Sequence, residues 1–595
     1  MANEIRTRDQ IDPRYQWDLT HIFPSDEAWE AELASLAEEV KRCAEWNGRV
    51  AENPRQAIRD IFALNERSTP VYCYAYLRKE TDNADEAAQA LNARVRSLGV
   101  ELSTAVSFLE PELNELPEET LTALMNDPDM ADYSEFLRGL IKMKAHYLPK
   151  DQERLMSMMG EVTGVSNNVF DMLTDVDMKF PDITMSDGST RPLTEGTYSA
   201  FIRDADRNVR RQAFEGIMGT YAKMGSTIAA TYGGRVKTDV FLARARNYSS
   251  ARAAKMEPLE IPEAVYDNLI EVVHENIPTL NEYLRLRKEK MGLNELHMYD
   301  LYTPLVTDFN MELPYDKAFD LVLEGLQPMG EDYIAKLREA RDGGWIDVYP
   351  SKNKSSGAFS MGSLSKVHPY VLLNHNDNLA DTFTIAHELG HSMHSFYSNQ
   401  AQPAPKADYS LFVAEVASTC NEAVMMRHLL GTLTDRKARA YLLNHRLEQF
   451  RTTCFRQTMF AEFERISHEM GEKGQPLTRS ALTDAYYKLN QRYYGGACTV
   501  DELIGAEWMR IPHFYRPFYV YVYATGLCAA TSLSAKILAE GEPAVRDYRK
   551  FLSAGCSVPP IEALKLAGID MSSPEPIRRA MEVFKETLED FKSVL

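Results

Sequence analysis

The 595-residue chain is 44% hydrophobic and 26% charged, ordinary for a globular protein, and too long for one core, since a single core stops growing near about 250–300 residues. With 66 Lys and Arg against 87 Asp and Glu, its formal net charge is −21. Such a surface repels phosphate backbones and anionic bilayers, so neither nucleic acid nor membrane is an expected partner. Seven cysteines at wide spacings, with no CxxC pair, argue against a disulfide framework and point to reduced thiols.

The first nine residues, Met1 to Asp9, lack the apolar stretch of a secretory signal, so a cytoplasmic location is expected. From Asp26 apolar residues recur at three-to-four spacing, the pattern of amphipathic helices, with proline breaks at Pro54, Pro117, Pro128 and Pro181. Asp187-Gly188 separates two short β-compatible pieces, residues 183–185 and 190–193, and predicts a small hairpin. Helices resume at Thr197 and run to about residue 340. Residues 345–350 and 367–374 read as strands on either side of a loop of small residues, Ser351 to Gly362. Pro369 favours an edge or the start of the second strand. After residue 379 the chain is helical almost to its end. Residues 517–535 carry no charge and are long enough to cross a bilayer, but their Tyr, Thr, Ser, Gly and Ala content reads as a buried helix. The expected class is all-α with a small β element.

One segment carries chemistry. In His387-Glu388-Leu389-Gly390-His391 the two histidines are one helical turn apart on a common face, and two imidazoles so placed can hold one Zn²⁺. Glu388 is placed to take a proton from metal-bound water. The strand ahead of this helix, residues 367–374, is expected to pair with an extended substrate backbone. A catalytic zinc needs a third protein ligand. Tyr397 stands where the longer histidine motif would place one, and His394, at i+7, reads as a packed or supporting histidine. Glu415 and Glu422 are the only charges in residues 412–422. Carboxylates in so apolar a segment need partners; Glu415 is the expected ligand, and Glu422 is expected to orient a ligand histidine.

Hydrolysis of a peptide also needs donors for the oxyanion. His513 and one or more of Tyr515, Tyr519, Tyr521 and Tyr523, crowded into one short run, fit that need. The loop from Lys354 to Gly362 can approach a substrate closely at Gly357.

Taken in order, these segments, with Trp17 to Phe23 near the start, resemble the oligoendopeptidase F group of the thimet-oligopeptidase-like (M3) zinc metallopeptidases, and the resemblance runs through nearly the whole chain. It implies a large two-lobed helical fold enclosing a deep substrate channel, with one zinc per chain at its floor. It also implies cytoplasmic cleavage of internal bonds in short unstructured peptides. By match, His387, His391 and Glu415 would be ligands and Glu388 the general base and acid. His513 and Tyr521 would stabilise the oxyanion, with Gly357, Ala358, Phe359, Tyr515 and Tyr519 contacting substrate. The implied organisation is an N-terminal helical region (1–115), an oligopeptidase F N-terminal-type segment ending in the hairpin (116–195) and a catalytic domain (196–595). A dipeptidyl carboxypeptidase on the same fold and a non-catalytic peptide-binding protein are the alternatives. Asn247 departs from the pattern, standing where relatives often carry glycine.

Overall fold

A computed structural model describes residues 6–307, 309 and 311–595; residues 1–5, which carry part of the leader reading, lie outside them. The described chain is helical, with five strands of two or three residues. Seven helices matter below: α1 (Asp26–Ala44), α2 (Pro54–Thr81), α3 (Glu86–Val106), α4 (Arg207–Ala245), α5 (Leu379–Ala401), α6 (Leu411–Thr432) and α7 (Tyr521–Glu540). The chain gathers into two compact units, each built from three separate segments.

The first unit comprises Met1–Tyr147, Asn310–Thr432 and Ala530–Asp570. Helices α1, α2 and α3 close around an apolar core in which Trp29, Leu36, Ile58 and Val71 are fully buried. Asn53 caps the start of α2, its side chain accepting from Gln56 N–H, with Pro54 as the first helical residue, where a missing N–H costs nothing.

A three-stranded sheet lies in the same unit: β3 (Ile346–Asp347), β4 (Phe359–Met361) and β5 (Tyr370–Leu372), in the order β3-β5-β4. β5 pairs parallel with β3 and antiparallel with β4. Pro369 immediately precedes β5, so it begins the strand and removes no ladder hydrogen bond. The expected substrate-pairing strand is therefore corrected: β5 is central, with both edges occupied, and the edge strands are β3 and β4, the latter inside the segment read as a loop. The Trp17–Phe23 motif is explained here as well. Trp17 packs with Tyr370 and Leu372, and Tyr370 donates to Asp18 O at 2.7 Å.

The second unit comprises Leu148–Phe309, Leu433–Ala529 and Met571–Leu595. It contains the predicted hairpin, β1 (Ile183–Thr184) paired antiparallel with β2 (Thr190–Arg191), and the 39-residue helix α4. Just past the end of α4, Asn247 takes the left-handed conformation, φ 60°. Asparagine tolerates this better than most residues, and glycine better still, which accounts for the departure noted above.

The uncharged C-terminal stretch forms α7. It is the single described helix long and apolar enough to cross a bilayer, and 67% of its apolar window is buried inside the protein, as a core helix requires.

Candidate active site

Asn378 sets the start of α5: its side chain accepts from Asp381 N–H at 2.9 Å. Two turns later His387 and His391 stand on one face, ring centroids 4.9 Å apart. Both turn Nε2 toward the same carboxylate oxygen, Oε2 of Glu415 on α6, at 3.3 and 3.4 Å. A tetrahedral ion held at about 2.0–2.1 Å separates its ligand atoms by about 3.3–3.4 Å. The three donors thus stand at corners of such a site, and these residues form a possible metal-holding group with all ligand atoms within 4.8 Å of one another. Two imidazoles and one carboxylate fit a divalent ion and leave a corner for solvent or substrate.

Glu422, two turns beyond Glu415, places Oε1 2.5 Å from Nδ1 of His387. A carboxylate there holds the proton on Nδ1 and keeps Nε2 free to ligate. Without a bound ion, burial lowers the pKa of His387, but Glu415 and Glu422 outweigh it and push it up to about 10; binding a metal at Nε2 requires loss of that proton. Hydrogen bonds from His387 and His391 in turn hold Glu415 well below the usual carboxylate range. Glu388, only 7% exposed, has its pKa raised by burial, with the two imidazoles opposing. A carboxyl lifted toward neutrality suits a general base.

Two contacts fix α5 against α6. Asn421, fully buried, donates to Ala386 O at 3.0 Å and accepts from Tyr333. At Gly390 the helices meet so closely that an added Cβ would lie 2.5 Å from Ser418 Cα and 2.8 Å from Ala417 O. His394 is not one of the grouped donors. It is buried, stacked on Tyr409 at 3.7 Å and against Phe551, and burial lowers its pKa to about 3.

The loop before β4 is anchored by Lys354, whose side chain is fully buried and pairs with Asp347 at 2.7 Å. Gly357 takes φ 86°, and its carbonyl accepts from Asn374. Ala358 leads into the strand. The Phe359 ring turns toward Trp17 and Tyr76, so its side chain is taken up in packing. Ser360 bonds Ser392 on α5 at 2.8 Å, and Asn399 donates to Gly362 O at 2.7 Å, locking β4 to the helix that carries the histidines.

His513 and the tyrosines lie in the second unit. Tyr515 is buried, its hydroxyl bonded to Thr231 at 2.7 Å and its ring stacked on Phe170. Tyr521 is 1% exposed and packs on Tyr266. Tyr519 and Tyr523 are half-buried and pack edge to face. The Tyr523 hydroxyl meets His513 Nε2 at 3.5 Å. Within this unit, then, the structure brings His513 together with Tyr523 and, through it, Tyr519, and places Tyr515 and Tyr521 in the core. Tyr523 lies in the first turn of α7 and Tyr519 just before that helix begins, an arrangement the sequence alone did not reveal.

The comparisons with known proteins identify the family. The profile described as Peptidase family M3 matches residues 200–583, and one described as Oligopeptidase F matches residues 112–180. The chain belongs to peptidase family M3. It is 42% identical to oligopeptidase PepF of Bacillus subtilis (strain 168), covering 100% of this chain and 89% of the relative. It is 37% identical to group B oligopeptidase PepB of Streptococcus agalactiae, covering 99% and 98%. Among solved structures, oligoendopeptidase-F from Enterococcus faecium superimposes with a TM-score of 0.73 at 36% identity, covering 96% of this chain and 99% of that one. A crystal structure from Chlamydophila abortus matches with a TM-score of 0.93 at 31% identity and full coverage of both chains. This M3 peptidase is accordingly a metalloendopeptidase that acts on peptides.

Proposed function

We propose that this metalloendopeptidase uses a single zinc ion, held by His387, His391 and Glu415, to hydrolyse internal bonds of short unstructured peptides in the cytoplasm. The convergence of both Nε2 atoms on one oxygen of Glu415 carries the reading. Zinc suits two imidazoles, one carboxylate and an open tetrahedral corner. When bound, the ion supplies Lewis acidity, polarising a carbonyl and lowering the pKa of water to about 7. Glu388 takes the proton from the attacking water and returns it to the leaving amine. Glu422 keeps His387 in the ligating tautomer. The open edge of β4 offers backbone donors and acceptors to an extended peptide.

For the oxyanion, His513 is proposed with Tyr523 in the place first given to Tyr521. A hydroxyl packed in a core reaches no substrate without unpacking it, whereas His513 and Tyr523 keep partly open surfaces in their own unit. The role of His513 otherwise rests on the family resemblance, and that of Tyr523 on its contact with His513. A cytoplasmic setting is consistent with seven cysteines that are all free thiols.

The test is Glu388→Gln. It removes the base and leaves the three ligands, so zinc content stays at one per chain while cleavage of a quenched fluorescent peptide is lost. Full turnover by this variant overturns the mechanism.

A further inference from the structure

A cavity of about 440 Å³ opens in the first unit beside the donor cluster. Ser360 and Gly362, at the end of β4, form one side; Ser395 and Asn399 of α5 lie beneath them. Ala414 also lines it, next to the ligand Glu415. At its rim Leu411 is 70% exposed and sits one helical turn before Glu415, so the two share a face of α6.

The charge of the cavity is one-sided. Glu66 of α2 and Asp408 both line it, and no Lys or Arg does. Asp408 accepts from its neighbour's N–H, that of Tyr409. Glu66 pairs at 3.1 Å with Lys366, whose side chain is 81% exposed. So exposed a pair contributes little and yields readily to another cation.

Position follows from the strand. Ser360 is tied to Ser392 and Gly362 to Asn399, so β4 and α5 advance in the same direction, away from the donors. Counted along α5 from His391, Ser395 and Asn399 lie about 6 and 12 Å further on at 1.5 Å per residue. That distance spans two to four residues of extended peptide at about 3.3 Å each. A peptide added antiparallel to β4, the slightly stronger pairing and the one β5 makes on its other edge, has its N-terminal part over the cavity.

We propose that this cavity receives a cationic side chain, Lys or Arg, two to four residues on the N-terminal side of the scissile bond. The inference rests on the peptidase reading above and adds a selectivity to it.

The test uses N-acetylated ten-residue peptides carrying Lys, Gln or Glu at each position in turn. The bond cut is read by mass spectrometry, and kcat/KM is measured for each. In the zinc-loaded wild type, Lys at one of these three positions is favoured over Glu by at least about fivefold, the size of one partly exposed ion pair. Combining Glu66→Gln with Asp408→Asn brings that ratio toward one, and Asp408→Lys reverses it. A ratio near one in the wild type, or one that neither variant alters, overturns the proposal while leaving the peptidase reading intact. A preference for cations on the C-terminal side of the cut overturns it too, as does one seen only with non-acetylated peptides, which identifies the α-ammonium as the group bound. A wild type that cleaves none of the peptides overturns the peptidase reading and this inference with it.

Discussion

A Cβ on Gly390 would lie 2.5 Å from the Cα of Ser418. The distance between the helix bearing His387 and His391 and the helix bearing Glu415 is thus set by a residue with no side chain, one position before His391. Gly390→Ala cannot be relieved by a rotamer change, because the atoms it meets are backbone, so α6 must move outward by roughly an ångström from ordinary contact. The expected result is a chain that binds substoichiometric zinc at low free metal and loses most of its activity, with a lowered Tm. Metal analysis after dialysis reads the first effect. Stoichiometric zinc in a fully active Gly390→Ala variant would refute the spacing argument.

Glu422 touches no substrate in the proposed mechanism; it holds Nδ1 of His387 at 2.5 Å. Replacing such an outer carboxylate typically weakens metal binding about 10–100-fold. Glu422→Ala should therefore bind zinc in that weaker range by competition with a chromophoric chelator. It should regain activity when zinc is raised, since the three ligands and Glu388 remain. A variant inactive at saturating zinc would assign Glu422 a direct part in the reaction.

The all-α class was legible in the sequence, and so was the grouping of His387, His391 and Glu415. His387 and His391 announce themselves by a one-turn spacing, and Glu415 and Glu422 by being the charges of an apolar helix. Local chemistry of this kind is written in consecutive residues. Gly390 belongs to the histidine motif, but its reason lies in a helix nearly thirty residues on. β4 was read as loop because three residues of Phe, Ser and Met carry no alternation strong enough to outweigh the glycines on either side; pairing with β5 decides its conformation. Tyr515, Tyr519, Tyr521 and Tyr523 crowd into nine residues, too short a run for all of them to face one way. Which of them face outward depends on packing against Thr231, Phe170 and Tyr266, residues more than two hundred positions away.

Tyr521 and Tyr523 separate two readings of the same motif. Tyr523 meets His513, so Tyr523→Phe should lower kcat by about 10²–10³, the usual cost of one lost oxyanion donor, with little change in KM. Tyr521 packs on Tyr266 in the core, and burial drives its pKa well above that of an ordinary tyrosine. Tyr521→Phe should keep kcat within a few-fold and register in Tm instead. Steady-state kinetics on one peptide decides between them, and the opposite pattern would return the oxyanion to Tyr521.

Glu448 makes a prediction independent of catalysis. Its carboxylate accepts from Tyr283 at 2.5 Å, from Arg451 at 2.6 Å and from Arg287 at 3.2 Å, and both arginines are fully buried. Burial alone would raise its pKa, but Arg451 and Arg287 outweigh burial and hold it down at about 2. An unfolded glutamate titrates near about 4.3. A depressed carboxylate stabilises the folded state above the unfolded pKa and loses that contribution as pH falls toward the folded one. The difference corresponds to on the order of 3 kcal/mol at neutral pH. Glu448→Gln leaves two buried guanidinium groups without a counter-charge, which typically costs about 3–5 kcal/mol. Urea unfolding of the second unit, followed by tryptophan fluorescence of Trp508, should show a lower midpoint for the variant at pH 7. The gap between variant and wild type should narrow as pH falls from 5 to 3.5, because the unfolded wild type takes up the proton that the folded one refuses. A gap independent of pH over that range would mean that Glu448 contributes through packing and neutral hydrogen bonds, and that its charge is not what holds Arg287 and Arg451 in the core.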